Sequence, residues 1–308
     1  MRVAVAGTGS IGVAFALVFA RAGMEVRCWD PVAGAENRAR SDVEARAESL
    51  HLHDLLDEPA AVLGRIGFTD DLAHAVAGAD LVQECVPENL DIKRDLYTQL
   101  GDITASATVL ASSSSAITAS RITEGLAVAD RTLIGHPGNP PYLLPVVEVV
   151  PGPATHPDVV DRACEIYSSA GLHPIRLGRE VEGFVFNRLQ GAVLREAYCL
   201  VRDGVASVAD IDAVMRLGLG RRWGVIGPFE TADLNTRGGI EVHAARMGPA
   251  YARMGAERGQ DDPWTDELVA EVVRQRREQL PLEGWQDRVL WRDEQLMDLS
   301  ARQPKEPT

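Results

Sequence analysis

Through its first 180 residues the chain alternates short apolar runs with longer segments of helical period. The runs are 2–6, 25–29, 65–68, 81–85, 108–112, 132–136 and 146–150. Short apolar runs bounded by turn residues are the pattern of strands buried on both faces. Between several of them, 11–22, 35–56, 90–100 and 157–170 carry helical patterns. Strands alternating with helices predict an α/β fold, a doubly wound, mostly parallel sheet of Rossmann type. A last strand is expected within 171–179.

After about residue 180 the pattern changes. Residues 183–201 read as one long helix, apolar around much of its circumference. Ser207 is a suitable N-cap for a helix over 208–217, and 266–279 is again helical. The expected division is therefore an α/β domain over 1–180 and a smaller, all-helical domain over 181–308.

Charge narrows the partners. A formal net charge of −14 disfavours nucleic acid and anionic membranes. No apolar run reaches the roughly 18 residues that a membrane span needs. The four cysteines are far apart and form no C-x-x-C pair, so no metal is expected. With a first strand that starts at residue 2, these features predict a cytoplasmic protein.

The turn after the first strand reads Gly7-Thr-Gly-Ser-Ile-Gly12. In this G-x-G-x-x-G pattern Gly7 allows a tight turn, Gly9 lets backbone approach a pyrophosphate, and Gly12 lets helix pack on strand. Ser10 and Ile11 open the helix, whose N-terminus attracts phosphate. The second strand ends in Asp30, where a carboxylate can accept a hydrogen bond from a ribose 2′-hydroxyl. An acid there repels a 2′-phosphate, so NAD is the expected cofactor rather than NADP, although Arg27 lies nearby.

Three further stretches stand at predicted strand ends, where an open α/β sheet forms its ligand crevice. Glu84-Cys-Val-Pro-Glu-Asn-Leu-Asp-Ile-Lys93 brings Glu88 and Lys93 near the cofactor; a plain helix N-terminus also explains its acids. Ala111-Ser-Ser-Ser-Ser-Ala116 offers hydroxyls. Gly135-His-Pro-Gly-Asn-Pro-Pro-Tyr142 ends a buried strand in His136, and the next strand carries Glu148 among valines. A carboxylate is costly to bury alone, and pairing with His136 removes that cost while orienting the imidazole.

These stretches, with Gly183-Phe-Val-Phe-Asn-Arg-Leu-Gln190 and Gly218-Leu-Gly-Arg-Arg-Trp-Gly-Val-Ile-Gly-Pro228, resemble the 3-hydroxyacyl-CoA dehydrogenase superfamily over roughly residues 1–240. Within it they look most like the L-gulonate 3-dehydrogenase, or lambda-crystallin, branch. The resemblance implies that His136 is the general base, Glu148 its partner, and Ser115 and Asn187 hydrogen-bonders of the substrate oxygen. It also implies that Lys93 lies on the cofactor side.

The superfamily's CoA-ester enzymes tend to carry a basic helical hairpin after the second strand. Here residues 36–58 set Arg38, Arg40 and Arg46 against seven carboxylates, a poor seat for CoA phosphates. A small free hydroxy acid is expected instead, with Arg222 as its carboxylate clamp and Trp223 beside it. Gly138, where the branch has a larger apolar residue, implies a wider pocket. Gly135, Tyr142 to Pro145 and Arg222-Trp223 are also similar to L-carnitine 3-dehydrogenase. A CoA ester, an imine or ketone substrate, and a non-catalytic NAD-binding role stay open at this point. The long apolar helix after 180 predicts a homodimer.

Overall fold

The computed structural model describes residues 1–224, 227–234 and 239–258, and beyond them 267, 271, 274, 278, 281–284, 287, 290, 291, 294, 297 and 298. In chain order β1 (Arg2–Ala6), α1 (Ser10–Arg21), β2 (Glu25–Trp29), α2 (Ala35–Leu52), α3 (Pro59–Leu63), β3 (Ile66–Thr69) and α4 (Leu72–Val76) come first. There follow β4 (Leu81–Glu84), α5 (Leu90–Ile103), β5 (Val109–Ser112), α6 (Ala119–Ile122), β6 (Thr132–Pro137), β7 (Val146–Pro151), α7 (Pro157–Ser169) and β8 (His173–Arg176). The strands form one sheet in the order β3-β2-β1-β4-β5-β6-β7-β8.

The alternation of side chains along β1 shows why both faces are covered. Val3 and Val5 enter a core that includes residues of α1, α2 and α7, while Ala4 and Ala6 enter one that includes residues of α4, α5 and α6. The sheet is parallel except that β7 runs antiparallel to β6. The link from Pro137 to Val146 is too short for the crossover of about a dozen residues that parallel strands need. The antiparallel return puts His136 directly opposite Glu148 in the register.

The expected helix over 35–56 stops short, and a separate short helix follows beyond it. Leu52 ends α2, Asp54 takes a left-handed φ of 57°, and Pro59 then opens α3. Past β8, α8 (Phe186–Arg202) starts later than the apolar pattern implied. Gly183 and Phe184 precede it with φ of 75° and 50°, which no helix accommodates. Ser207 caps α9 (Val208–Val214) by accepting from the Asp210 amide at 3.2 Å. A π-helical segment, Met215–Leu219, leads into α10 (Gly220–Trp223), followed by α11 (Pro228–Leu234) and α12 (Gly239–Arg258). Of the expected helix over 266–279, the described residues Glu267, Glu271, Arg274 and Glu278 are helical, and the remainder lies outside the described residues.

Contacts divide the chain into two units, Met1–Arg188 with Val289–Thr308, and Leu189–Arg288. Met297 belongs to the first unit's core, where the Ser49 hydroxyl donates to its sulfur at 3.7 Å.

Candidate active site

The turn between β1 and α1 carries its glycines for separate reasons. Gly7 has φ of 100°, and a Cβ there would stand 2.6 Å from the Cys85 carbonyl oxygen. A Cβ on Gly12 would fall 1.9 Å from the Gly7 oxygen, so helix and turn pack only without it. A Cβ on Gly9 would meet nothing within 4 Å. That open backbone, with Ser10 and Ile11 beginning α1, is a cradle for a pyrophosphate.

Asp30 ties the end of β2 to this turn. Its Oδ2 accepts from the Thr8 amide and hydroxyl, both at 2.8 Å, and its Oδ1 accepts from the Val32 amide at 3.0 Å. Carboxylate oxygens can accept further bonds, so a ribose hydroxyl can still donate here. Arg27 is turned elsewhere, to Glu25 and the His74 carbonyl. A groove of about 790 Å³ runs past Gly7, Gly9, Asp30, Val86, Leu96 and Gln99, within the size range of cofactor sites. These residues fit NAD, the cofactor of this fold's glycine-rich turn.

Glu88 and Lys93 meet one strand further along. Lys93 is fully buried on α5, and its Nζ donates to Glu84 Oε1 at 2.7 Å and lies 3.4 Å from Glu88 Oε2. Burial pushes the Glu84 carboxyl up, although Lys93, Ser112 and the Val86 amide all favour its charged form. Glu88 Oε1 accepts from the Ser114 hydroxyl at 2.6 Å and from the Ser115 and Ala116 amides at 3.1 Å. Burial raises the Glu88 carboxyl, but these donors and Lys93 outweigh it, and the net direction is down. Lys93 thus sits between two carboxylates, one of which clasps the serine loop.

His136 is 7% exposed on β6, and its Nδ1 lies 2.8 Å from Glu148 Oε2. Glu148 Oε1 accepts from the Val185 and Phe186 amides at 2.7 and 2.9 Å, the entrance to α8. Burial opposes ionisation of Glu148, and the bonds from His136, Phe186 and Val185 overcome it, holding the carboxyl below its ordinary range. Phe184 and Phe186 flank the imidazole, with ring centroids at 5.6 and 6.2 Å. The same helix start carries Asn187, whose Nδ2 donates to the Ser115 carbonyl at 3.2 Å. Ser115, His136, Glu148 and Asn187 are therefore brought together by two strand ends, one loop and one helix N-terminus.

Arg222 and Trp223 lie on α10 of the second unit, and both are exposed. Gly138 has a local reason. A Cβ there would lie 3.1 Å from both Cβ and the carbonyl oxygen of Leu144, so the glycine lets the 138–144 loop close tightly on itself. Gln83 and Tyr167 were not singled out from sequence, and Glu84, Ser112 and Ser114 had no role of their own within their stretches. A glutamine and a glutamate inside the buried run Leu81-Val-Gln-Glu84 were the available signal, since buried polar groups need partners.

Comparison with known proteins covers both halves of the chain. The NAD-binding domain of 3-hydroxyacyl-CoA dehydrogenase matches residues 2–181, and the C-terminal domain of the same family matches 183–279. Lambda-crystallin from Oryctolagus cuniculus is 37% identical over 304 residues, covering 97% of this chain and 95% of that protein. L-carnitine dehydrogenase from Streptomyces griseus is 42% identical over 274 residues, covering 89% and 78%. The crystal structure of an NAD+-dependent dismutase, a dehydrogenase of a substituted pyridine carboxylic acid, superposes with a TM-score of 0.77 at 32% identity, over 86% of this chain and 83% of that one. With its glycine turn, its strand-end histidine and matches through both halves, the chain belongs to the 3-hydroxyacyl-CoA dehydrogenase family, NAD-dependent oxidoreductases acting on CH–OH groups.

Proposed function

We propose that this enzyme oxidises the 3-hydroxyl of a small, free hydroxy acid, in the manner of an L-gulonate 3-dehydrogenase, with His136 as general base. The observation that carries this reading is the 2.8 Å contact from His136 Nδ1 to a Glu148 carboxylate held ionised by two helix-start amides. An ionised Glu148 takes the Nδ1 proton as a hydrogen bond, so the imidazole presents the lone pair of Nε2. Nε2 then removes the hydroxyl proton, and Glu148 stabilises the imidazolium that results. NAD, held by the turn from Gly7 to Gly12 and by Asp30, would supply the acceptor for the hydride released from the hydroxyl-bearing carbon. Ser115 and Asn187 hydrogen-bond the substrate oxygen, and Glu88 and Lys93 support the cofactor side.

The choice of a free acid over a CoA ester rests on α2. Its Arg40 and Arg46 are each paired with a carboxylate of the same helix, Glu36 at 2.9 Å and Asp42 at 2.8 Å. Paired arginines leave little net positive field for CoA phosphates. A second reading, a hydroxy acid bearing a quaternary ammonium, is favoured by the 42% identity to L-carnitine dehydrogenase. The second unit leaves large apolar side chains exposed, among them Leu189, Leu217 and Phe229, which supports a homodimer. Among the described residues no helix is long and apolar enough to cross a membrane. The cytoplasm is the setting that the separated, free cysteines favour.

The test is NADH formation by purified protein with L-gulonate, L-carnitine, free 3-hydroxybutyrate and 3-hydroxybutyryl-CoA. Turnover of a free acid is expected, with kcat down by ~10²–10⁴-fold in His136→Ala while NADH still binds. Preference for the CoA ester would overturn the substrate reading, and full activity in His136→Ala would overturn the mechanism.

A further inference from the structure

Behind the strand that carries His136 lies a buried polar chain that the mechanism above does not use. The Tyr167 hydroxyl, on α7, donates to Gln83 Oε1 at 2.6 Å. Gln83, on β4, donates from Nε2 to the Gly135 carbonyl at 3.4 Å. Both side chains are 0% exposed, and the Tyr167 ring stacks against Phe19 with centroids 6.3 Å apart. The chain passes over β5 at Ala111, the register partner of Gln83, whose methyl is small enough to leave room.

Gly135 is part of the device. A Cβ at 135 would stand 2.0 Å from the Tyr167 oxygen, so the phenol occupies the space of the missing methyl. A glycine there admits the hydroxyl but frees the backbone one residue before His136. The Gly135 carbonyl belongs to the peptide joined to the His136 nitrogen. Fixing that oxygen fixes the peptide plane that carries the His136 Cα, from which the imidazole projects. A phenol and an amide in an apolar core are costly to desolvate, and packing alone gives no reason for them.

We propose that Tyr167 and Gln83 are positioning residues for His136, acting through the Gly135 carbonyl. The kcat arm of the test rests on His136 being the base; a second arm does not.

The variants are Tyr167→Phe, Gly135→Ala and the double. Tyr167→Phe should lower kcat by ~10–100-fold, the scale of a small misplacement of a reacting group, with KM and NADH affinity within about twofold of wild type. Gly135→Ala alone should be destabilised by the clash. The double variant gives the new methyl the hydroxyl's space but leaves it 3.0 Å from the ring Cζ, so its melting temperature should recover in part while kcat stays low. Restoration of both together in the double, or an unchanged kcat in Tyr167→Phe, would reduce the pair to packing. Independently of turnover, the Nδ1 proton of His136 is read by NMR in wild type and Tyr167→Phe. Faster exchange of that proton with solvent in the variant supports the proposal, and an unaltered signal overturns it even where no substrate has been found.

Discussion

At the scale of single residues, Glu148 is where burial and hydrogen bonding compete most directly. Its carboxyl is 2% exposed, yet His136 and two backbone amides hold it below its ordinary range. A lowered carboxyl stabilises the fold fully above its unfolded value, about 4.3, and that stabilisation is lost as pH falls through the lower folded value. Glu148→Gln should therefore be less stable than wild type at neutral pH, with the gap closing on acidification. Urea midpoints across an acidic pH series check this, and a gap independent of pH would contradict it. Residue-scale chemistry was unevenly legible. His136 and Glu148 were readable because the histidine ends a strand and the acid interrupts a valine run. The Gln83–Tyr167 contact was not, because its partners are 84 residues apart and Tyr167 takes an ordinary apolar position of an amphipathic helix.

At the scale of elements, the glycine turn makes two opposed predictions. Gly7→Ala forces a left-handed residue and a Cβ 2.6 Å from the Cys85 oxygen, so it should lower stability by ~1–3 kcal/mol and weaken NADH binding as well. Gly9→Ala meets open space and should leave the melting temperature unchanged, while its methyl obstructs the approach of the pyrophosphate. Thermal melts beside NADH titrations separate the two, and equal melting losses would show that Gly9 is structural instead. The join of β4 to α5 depends on another element-scale feature, the buried Lys93. Lys93→Met strands Glu84 and leaves Glu88 without its cation, at a cost of about 3–5 kcal/mol in urea unfolding. Replacing Glu84 by Leu in that background should recover part of the loss, because an apolar pair need not be solvated. The motif spacing exposed Glu88 and Lys93 in the sequence, but not Glu84 as their partner. Strand periodicity names which residues are buried; it does not say which buried charge meets which. Element boundaries slipped for equally local reasons, at Asp54 after α2 and at Gly183 and Phe184 before α8, where single left-handed residues stop a pattern whose apolar period runs on.

At the scale of the molecule, the two units differ in how completely they bury what they carry. The first unit's sheet is enclosed on both faces, and β1 has no side chain from Val3 to Ala6 above 1% exposure. That enclosure is why its class was readable from the alternation of strand and helix alone. The second unit leaves Leu189 59%, Val214 62%, Leu217 59% and Phe229 79% exposed. Isolated apolar residues on a surface are normal, but so many large ones on the helices of one small unit are what the proposed homodimer would cover. A net charge of −14 does not forbid such pairing, because salt screens the charges outside an apolar contact. Light scattering at micromolar protein should therefore give the mass of a dimer, and Leu217→Glu with Phe229→Glu should give a monomer. If the paired helices only assemble the enzyme, NADH binding to the first unit persists in that monomer, since the groove from Gly7 to Gln99 lies wholly within Met1–Arg188. A wild-type monomer at that concentration would end the dimer proposal, and loss of NADH binding on dissociation would show that the first unit's groove depends on the assembly.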